Sequence, residues 1–126
     1  MAAMIGRLHH VIMDGQDPMV LASFYSELLG LPIYVPKRRL RRGRGQRHLF
    51  RPGFPACARS QPPAWPDPSR PQQVHFDIMV EDVAASGPRV LALGATKLDG
   101  GDVYADPSGH PFCLIRRPKW APPVPQ

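Results

Sequence analysis

The chain has 126 residues, 43% of them hydrophobic, and a formal net charge of +6 at pH 7. This size suits one domain, or two small halves that share a core. The two cysteines, Cys57 and Cys113, are too few for a disulfide framework and lack CxxC spacing, which indicates a reduced, cytoplasmic protein. No apolar run approaches the ~18 residues of a membrane span, and the first residues do not resemble a signal peptide, so no membrane partner is expected.

The positive charge is confined to one segment of the chain. Residues 37–59 contain nine basic residues and no acid, whereas the rest of the chain has seven basic residues against ten acids, a balance of −3. The basic residues of the segment are Lys37, Arg38, Arg39, Arg41, Arg42, Arg44, Arg47, Arg51 and Arg59. Because aromatic residues are few there and no known motif is present, nucleic acid is only a remote alternative partner.

An internal repeat organises the chain. His10 and His75 each lie near the start of an apolar run and are followed seven residues later by an aspartate, Asp17 or Asp82. Each aspartate opens a helical pattern that ends in Leu-Gly. The pattern predicts two copies of one strand-helix unit.

In the first copy, residues 5–13 are predicted to form a strand. Asp17 and Pro18 then indicate a helix start, because Asp accepts hydrogen bonds from the first turn and Pro has a suitable φ. Gly30 is predicted to close the helix in the left-handed conformation, and residues 31–35 to start a second strand. One apolar stripe supports the helix: Leu21, Phe24, Tyr25, Leu28 and Leu29.

The pattern fails from residue 36 to residue 60, where neither strand alternation nor a helical stripe is present. A proline-rich connector follows over residues 61–73. In the second copy, residues 74–80 are predicted to form a strand and Asp82 to cap a helix. Because Gly87-Pro88 is unfavourable inside a helix, the helix is predicted to start late, near Ser86, or to be bent.

Turn residues divide the end of the chain into short strands. Gly100-Gly101 indicates a turn, residues 103–105 a short strand, residues 106–109 a tight turn and residues 111–116 a final strand. Residues 118–126 form a proline-rich tail.

Three phrases of the sequence resemble a known family. Phe24 to Leu31 (FYSELLGL), Leu91 to Ala95 (LALGA) and above all Asp106 to Phe112 (DPSGHPF) are similar to the glyoxalase-like branch of the vicinal oxygen chelate superfamily. Trp65 to Pro68 also resembles the connector of bacterial members. The resemblance covers roughly residues 5–35 and 62–117.

The resemblance implies an α+β fold in which two βαβββ modules form a curved mixed sheet. A single domain would span residues 1–117, with module one at 1–60, the connector at 61–73 and module two at 74–117. Members of the superfamily bind a metal, or only a small molecule, in the cup that the sheet forms. The resemblance also makes a homodimer the expected assembly.

The resemblance implies where a metal would be held. Ligands come from the first strand of each module, where His10 and His75 stand, and from a glutamate on each last strand. In the second module Cys113 occupies the place of that glutamate, and the segment 36–60 offers no acid in the first. Two imidazoles suit a divalent metal such as Zn, Ni, Fe or Mn. In the alternative interpretation, both histidines are hydrogen-bonded residues of a pocket wall.

Five residues are predicted to contact a small-molecule ligand: His75, Asp77, Tyr104, Cys113 and Trp65. Strand alternation places His75 and Asp77 on one face, where Asp77 could orient the imidazole. Each prediction has a structural alternative. Cys113 would be a small buried hydrophobic residue, and the two aromatic residues would cover the core. No catalytic residue is assigned.

Two functions follow from the resemblance. The first is a glyoxalase-type enzyme, a lyase, isomerase or dioxygenase that acts on a small oxygenated substrate at a divalent metal. The second is a metal-free protein, similar to bleomycin-resistance members, that sequesters an antibiotic or another small molecule. Whether the chain is an enzyme stays open.

The segment 36–60 has a separate interpretation. Its Arg, Pro, Gly and Ala bias is typical of a shifted reading frame in GC-rich DNA, and the family resemblance is present on both sides of it but not within it. A solvated basic loop is the alternative. We favour the shifted frame, which would leave the first module degraded. An alternating apolar pattern in another frame of the coding DNA is the expected result.

Overall fold

The computed structural model describes residues 5–6, 11–32 and 61–126, and the backbone of residues 50–52. The chain divides into two compact units, Met1–Cys57 and Ala58–Gln126. The predicted boundaries of the modules, connector and tail stay predictions.

The first unit contains strand β1 (Val11–Met13), helix α1 (Pro18–Leu29) and strand β2 (Phe50–Pro52), with β1 and β2 parallel. Strand β1 is shorter than the predicted strand at 5–13, of which residues 7–10 lie outside the described residues. Strand β2 lies in the segment 36–60, where no strand pattern was found. A three-residue strand is held by backbone pairing, which an alternating side-chain pattern cannot detect.

Helix α1 begins and ends as its sequence predicts. The Asp17 carboxylate accepts hydrogen bonds from the backbone N–H groups of Met19 (3.0 Å) and Val20 (3.2 Å), a cap that contributes about 1 kcal/mol. Gly30 closes the helix with a φ of 63°. Three residues of the apolar stripe are buried: Leu21, Phe24 and Tyr25. Of the second strand predicted at 31–35, the first two residues are not in a strand and the others lie outside the described residues.

The second unit is a complete βαβββ module. Its elements are β3 (Phe76–Val80), α2 (Val83–Ala92), β4 (Thr96–Lys97), β5 (Val103–Ala105) and β6 (Pro111–Arg116). The strands pair in the order β3-β6-β5-β4, with β3 and β6 parallel and the other pairs antiparallel. The mixed α+β class that the resemblance implies is therefore confirmed. The predicted strands at 103–105 and 111–116 are confirmed, with the same first and last residues.

Helix α2 begins earlier than its sequence predicts. Asp82 caps it by accepting a hydrogen bond from the Ala85 N–H at 2.9 Å, and the helix runs from Val83 through Pro88. The predicted late start near Ser86 is therefore wrong. Pro88 offers no N–H to the carbonyl one turn earlier, but the Asp82 cap and the buried Val90 favour the helix on both sides of it.

One face of the sheet, here called the covered face, packs against α2. Tyr104 of β5 and Phe112 of β6 are cross-strand partners whose rings stack with centroids 5.8 Å apart. A Cβ atom added at Gly87 of α2 would lie 2.7 Å from the Tyr104 hydroxyl, so helix and sheet are in close contact there. Leu114 is buried on the same face, which forms the core of the unit.

The turn before β6 is held by a buried carboxylate. Asp106 accepts hydrogen bonds from the N–H groups of Ser108 (2.9 Å) and His110 (3.0 Å), and its other oxygen lies 2.8 Å from His110 Nδ1. Gly109 has a φ of 92°, and a Cβ atom there would lie 2.9 Å from that of Pro62. The turn therefore also positions the proline-rich connector.

The proline-rich tail at 118–126 is held by hydrogen bonds to one ion pair, which Glu81 forms with Arg117. Glu81 accepts hydrogen bonds from Arg117 Nε at 2.6 Å and from the Val124 N–H at 2.8 Å. Another guanidinium nitrogen of Arg117 donates to the Ala121 carbonyl at 2.6 Å. These contacts, with the Arg117 hydrogen bond foremost, hold the pKa of Glu81 below its ordinary value.

Candidate ligand site on the open face of the sheet

The face of the sheet opposite α2 presents two cross-strand pairs side by side. Asp77 of β3 is opposite Cys113 of β6, and Met79 is opposite Ile115. Met79 keeps 39% of its surface exposed and Ile115 keeps 36%. We call this surface, defined by these four residues, the open face. It combines a polar pair with an apolar pair, two kinds of surface that small-molecule sites also combine.

Three side chains meet at one edge of the open face. One ligand atom each of His75, Asp77 and Cys113 lies within 4.8 Å of the other two. His75 directly precedes β3, and its Nε2 is 3.4 Å from Oδ1 of Asp77. The side chain of Asp77 is 60% exposed and that of His75 is 29% exposed, so both can be reached by a ligand. These three residues are called the polar cluster below.

The other nitrogen of the His75 ring has a partner in the connector. Gln72 places its side-chain oxygen 3.0 Å from His75 Nδ1. This distance is normal for an N–H···O hydrogen bond. The imidazole is thus fixed from the side opposite to Asp77.

The thiol of Cys113 is held in its protonated form. Burial raises its pKa, and the negative charges of Asp77 and Asp102 raise it further, while Lys97 partly offsets them. At neutral pH the side chain is therefore a weakly polar thiol rather than a thiolate nucleophile.

The polar cluster fits a divalent transition metal by its donor atoms and spacing. Two ligand atoms about 2.1 Å from a tetrahedral ion are about 3.4 Å apart, which is also the separation between His75 Nε2 and Asp77 Oδ1. The spacing of up to 4.8 Å within the cluster requires a modest closing movement of the side chains. A nitrogen, an oxygen and a sulfur donor suit Zn²⁺ better than Mn²⁺, because sulfur is a soft ligand once a bound metal has displaced the proton of the thiol.

The structure brings together three of the five predicted ligand contacts, His75, Asp77 and Cys113. Tyr104 is buried on the covered face, and Trp65 is exposed in the connector. For both aromatic residues, contact with a ligand stays a prediction. His10, the other predicted metal ligand, lies outside the described residues.

Two residues around the cluster were missed by the sequence reasoning, Gln72 and Asp102. Gln72 lies in a connector without periodicity, so no pattern assigns its direction. The strand register that places Val103 opposite Cys113 could have suggested Asp102, but a two-residue turn signal does not fix register.

The chain matches a known domain family. A family model for the glyoxalase-like domain matches residues 10–115. Because the match spans most of the 126 residues, the chain belongs to the glyoxalase-like domain family. A comparison with curated proteins gives no match. Neither α1 nor α2, the helices of the described residues, has the length and apolar character required to cross a membrane.

Proposed function

We propose that the chain binds a small molecule on the open face of the second unit. One observation carries the proposal: the polar cluster lies directly beside the exposed apolar pair Met79 and Ile115. A ligand that covers the apolar pair would gain about 25 cal/mol for each Å² of apolar surface removed from water. The polar cluster would then orient its polar end.

The charges near the cluster favour a ligand with a positive or hydrogen-donating group. Asp77 is exposed, and both its charge and that of Asp102 act on Cys113. This local acidity contrasts with the overall charge of +6. An amine or hydroxyl group beside Asp77, with an apolar body over Met79 and Ile115, would match the surface.

The donor set of the polar cluster supports a second candidate function, metal-dependent ligand binding. His75, Asp77 and Cys113 would hold the ion and leave a position for ligand oxygen, as three protein ligands do in catalytic zinc sites. A bound divalent ion would supply Lewis-acid polarisation of that oxygen. Among the three cluster residues, Asp77 alone has a carboxylate, and it would act either as a ligand or as the base that moves a proton.

Thermal unfolding in the presence of ligands tests both candidate functions. A ligand at 100 times its Kd stabilises the folded state by about 2.7 kcal/mol. We expect chelator-treated protein to be stabilised by small aromatic amines, by Zn²⁺ or Co²⁺, or by an amine and a metal together. Stabilisation by an amine that persists in chelator would support metal-free binding, as in the antibiotic-binding alternative.

A matched pair of variants locates the site. Asp77→Asn removes the carboxylate of the cluster, whereas Asp99→Asn removes an exposed carboxylate of a turn. We expect loss of stabilisation in the first variant and none in the second. The same amine or metal response in both variants would contradict the placement of the site on the open face.

Dimerisation and a cytoplasmic location stay predictions. Sedimentation equilibrium of the purified chain tests the first, and a single species at the mass of one chain would contradict it.

A further inference from the structure

The His75 imidazole lies between two oxygen acceptors. Its Nδ1 is 3.0 Å from the Gln72 side-chain oxygen, and its Nε2 is 3.4 Å from Asp77 Oδ1. A neutral imidazole carries one N–H and therefore donates to only one of them. The first distance is normal for an N–H···O hydrogen bond, and the second lies beyond the usual range of about 2.7–3.2 Å. The proton of the neutral ring therefore belongs on Nδ1.

This assignment determines what the polar cluster can bind. With the proton on Nδ1, Nε2 carries a lone pair, so two electron-rich atoms, Nε2 and Asp77 Oδ1, lie 3.4 Å apart. Such a gap favours an electron-poor group, either a metal ion or an N–H or O–H donor of a ligand. Histidine ligands of metals commonly donate their other N–H to an oxygen in the same way.

We propose that Gln72 is a positioning residue that fixes the His75 tautomer and so keeps Nε2 available to a ligand or metal. The inference rests on the proposed function, in which the polar cluster is the binding site. Gln72 belongs to the connector, and no strand or helix of the unit requires an amide there. A neutral amide holds the Nδ1 proton without adding a charge to the site.

The opposite orientation of the Gln72 amide would have the opposite effect. Its NH₂ group would donate to Nδ1, and the ring proton would move to Nε2, where it could donate to Asp77. His75 and Asp77 would then be hydrogen-bonded to each other, and Nε2 would present no lone pair to a ligand. Amide orientation and tautomer are thus coupled, and the tautomer is measurable.

Nitrogen NMR of the His75 ring tests the inference. Long-range ¹H–¹⁵N correlations at alkaline pH, where an ordinary imidazole is neutral, report which nitrogen carries the proton. We expect the Nδ1–H form in the native protein and in Gln72→Glu, which keeps an oxygen acceptor. Gln72→Leu should shift the ring towards the Nε2–H form, with Gln72→Ala as a smaller second variant. Gln73→Leu alters the exposed neighbour and should leave the tautomer unchanged.

Metal affinity supplies an independent measurement. Co²⁺ titration should show about 10- to 100-fold weaker binding for Gln72→Leu, with native affinity for Gln73→Leu. An Nε2–H ring in the native protein, or the same tautomer in Gln72→Leu as in the native protein, would overturn the role of Gln72. Failure of the native protein to bind Co²⁺ or amines would instead overturn the proposed function, because the tautomer result does not depend on binding.

Discussion

The two faces of the second unit's sheet are made from alternate residues of the same strands, but they differ in burial and in polarity. On the covered face Phe112 is 0% exposed and Tyr104 is 4% exposed, and their rings stack beneath α2. On the open face, one residue further along β6, Cys113 is opposite a carboxylate, and Ile115 is partly exposed. The comparison shows that a single step along the strand separates the buried core from the exposed, partly polar surface.

This separation depends on the register of β3 and β6. A one-residue shift of β3 would place Asp77 on the covered face, and the same shift of β6 would instead place Phe112 on the open face, so the polar cluster and the aromatic core favour the same register. Substitutions on the covered face should therefore change stability, while those on the open face should change binding.

The largest expected effect is on the covered face. Phe112→Ala removes a fully buried ring and should lower the free energy of unfolding by about 3–5 kcal/mol. Ile115→Ala, on the open face of the same strand, should cost less than about 1 kcal/mol, because its side chain is already partly exposed. Urea unfolding of both variants measures the difference. Equal costs would show that the open face is also part of the core.

A smaller effect is expected at the turn before β6. Gly109→Ala should cost about 1–3 kcal/mol, because φ is 92° and the new Cβ atom would meet Pro62 at 2.9 Å. Gly101→Ala is a control for backbone strain alone, since its φ is 87° and no atom lies within 4 Å of the added Cβ. Thermal unfolding should show the larger loss for Gly109→Ala. An equal loss would mean that the connector contact contributes nothing.

On the open face, the expected change is in thiol chemistry rather than stability. Asp77→Asn removes one of the negative charges that, after burial, raise the pKa of Cys113. The alkylation rate of Cys113 near neutral pH should therefore increase, by less than about tenfold. Peptide mass spectrometry separates this cysteine from Cys57, and Asp99→Asn is the control. An unchanged rate would contradict the electrostatic coupling across the strand pair.

The raised pKa of Cys113 also predicts the direction in which stability changes with pH. A thiol whose pKa is higher in the folded state stabilises that state below its unfolded pKa. The contribution disappears as the pH rises through the folded pKa, so the native protein should lose stability at alkaline pH relative to Cys113→Ser. Urea midpoints measured across the alkaline range test this, and parallel curves for the two proteins would contradict it.

The smallest expected effect concerns the tail. The pKa of Glu81 is lowered, first by its hydrogen bond from Arg117 and then by that from the Val124 N–H. The stabilising contribution of Glu81 is therefore present above the ordinary glutamate pKa and is lost as the pH falls through the folded value. The protection factor of the Val124 amide, its exchange rate compared with the intrinsic rate at the same pH, should fall in that acidic range, as it should at neutral pH in Glu81→Gln. Identical protection of the Val124 amide in the native protein and in Glu81→Gln would contradict the attachment of the tail to Glu81.

Much of this structure could be predicted because it depends on residues that are close together in the sequence. The Asp17 cap and the Gly30 closure depend on residues within a few positions, and the strand at 111–116 is bounded by a turn with a strong signature. The proximity of His75, Asp77 and Cys113 could be predicted, because strand alternation placed His75 and Asp77 on one face and the family resemblance indicated His75 and Cys113.

The features that escaped prediction depend on distant partners. The strand β2 is defined by its pairing with β1, and the passage of α2 through Pro88 depends on the Asp82 cap and on burial of Val90. Gln72 contributes to the site through one contact of its side chain with His75. None of these leaves a periodic signal in the sequence. The origin of the segment 36–60 stays a hypothesis, because most of it lies outside the described residues.

The parallel pairing of β3 with β6 also has a consequence for folding. The chain passes through α2, β4 and β5 before Cys113 can meet Asp77, so the pair closes a long loop. Contacts of this range form slowly, because chain entropy is lost before the contact energy is gained. The polar cluster therefore forms only when β3 and β6 pair, and metal or ligand binding at this cluster would report that long-range pairing.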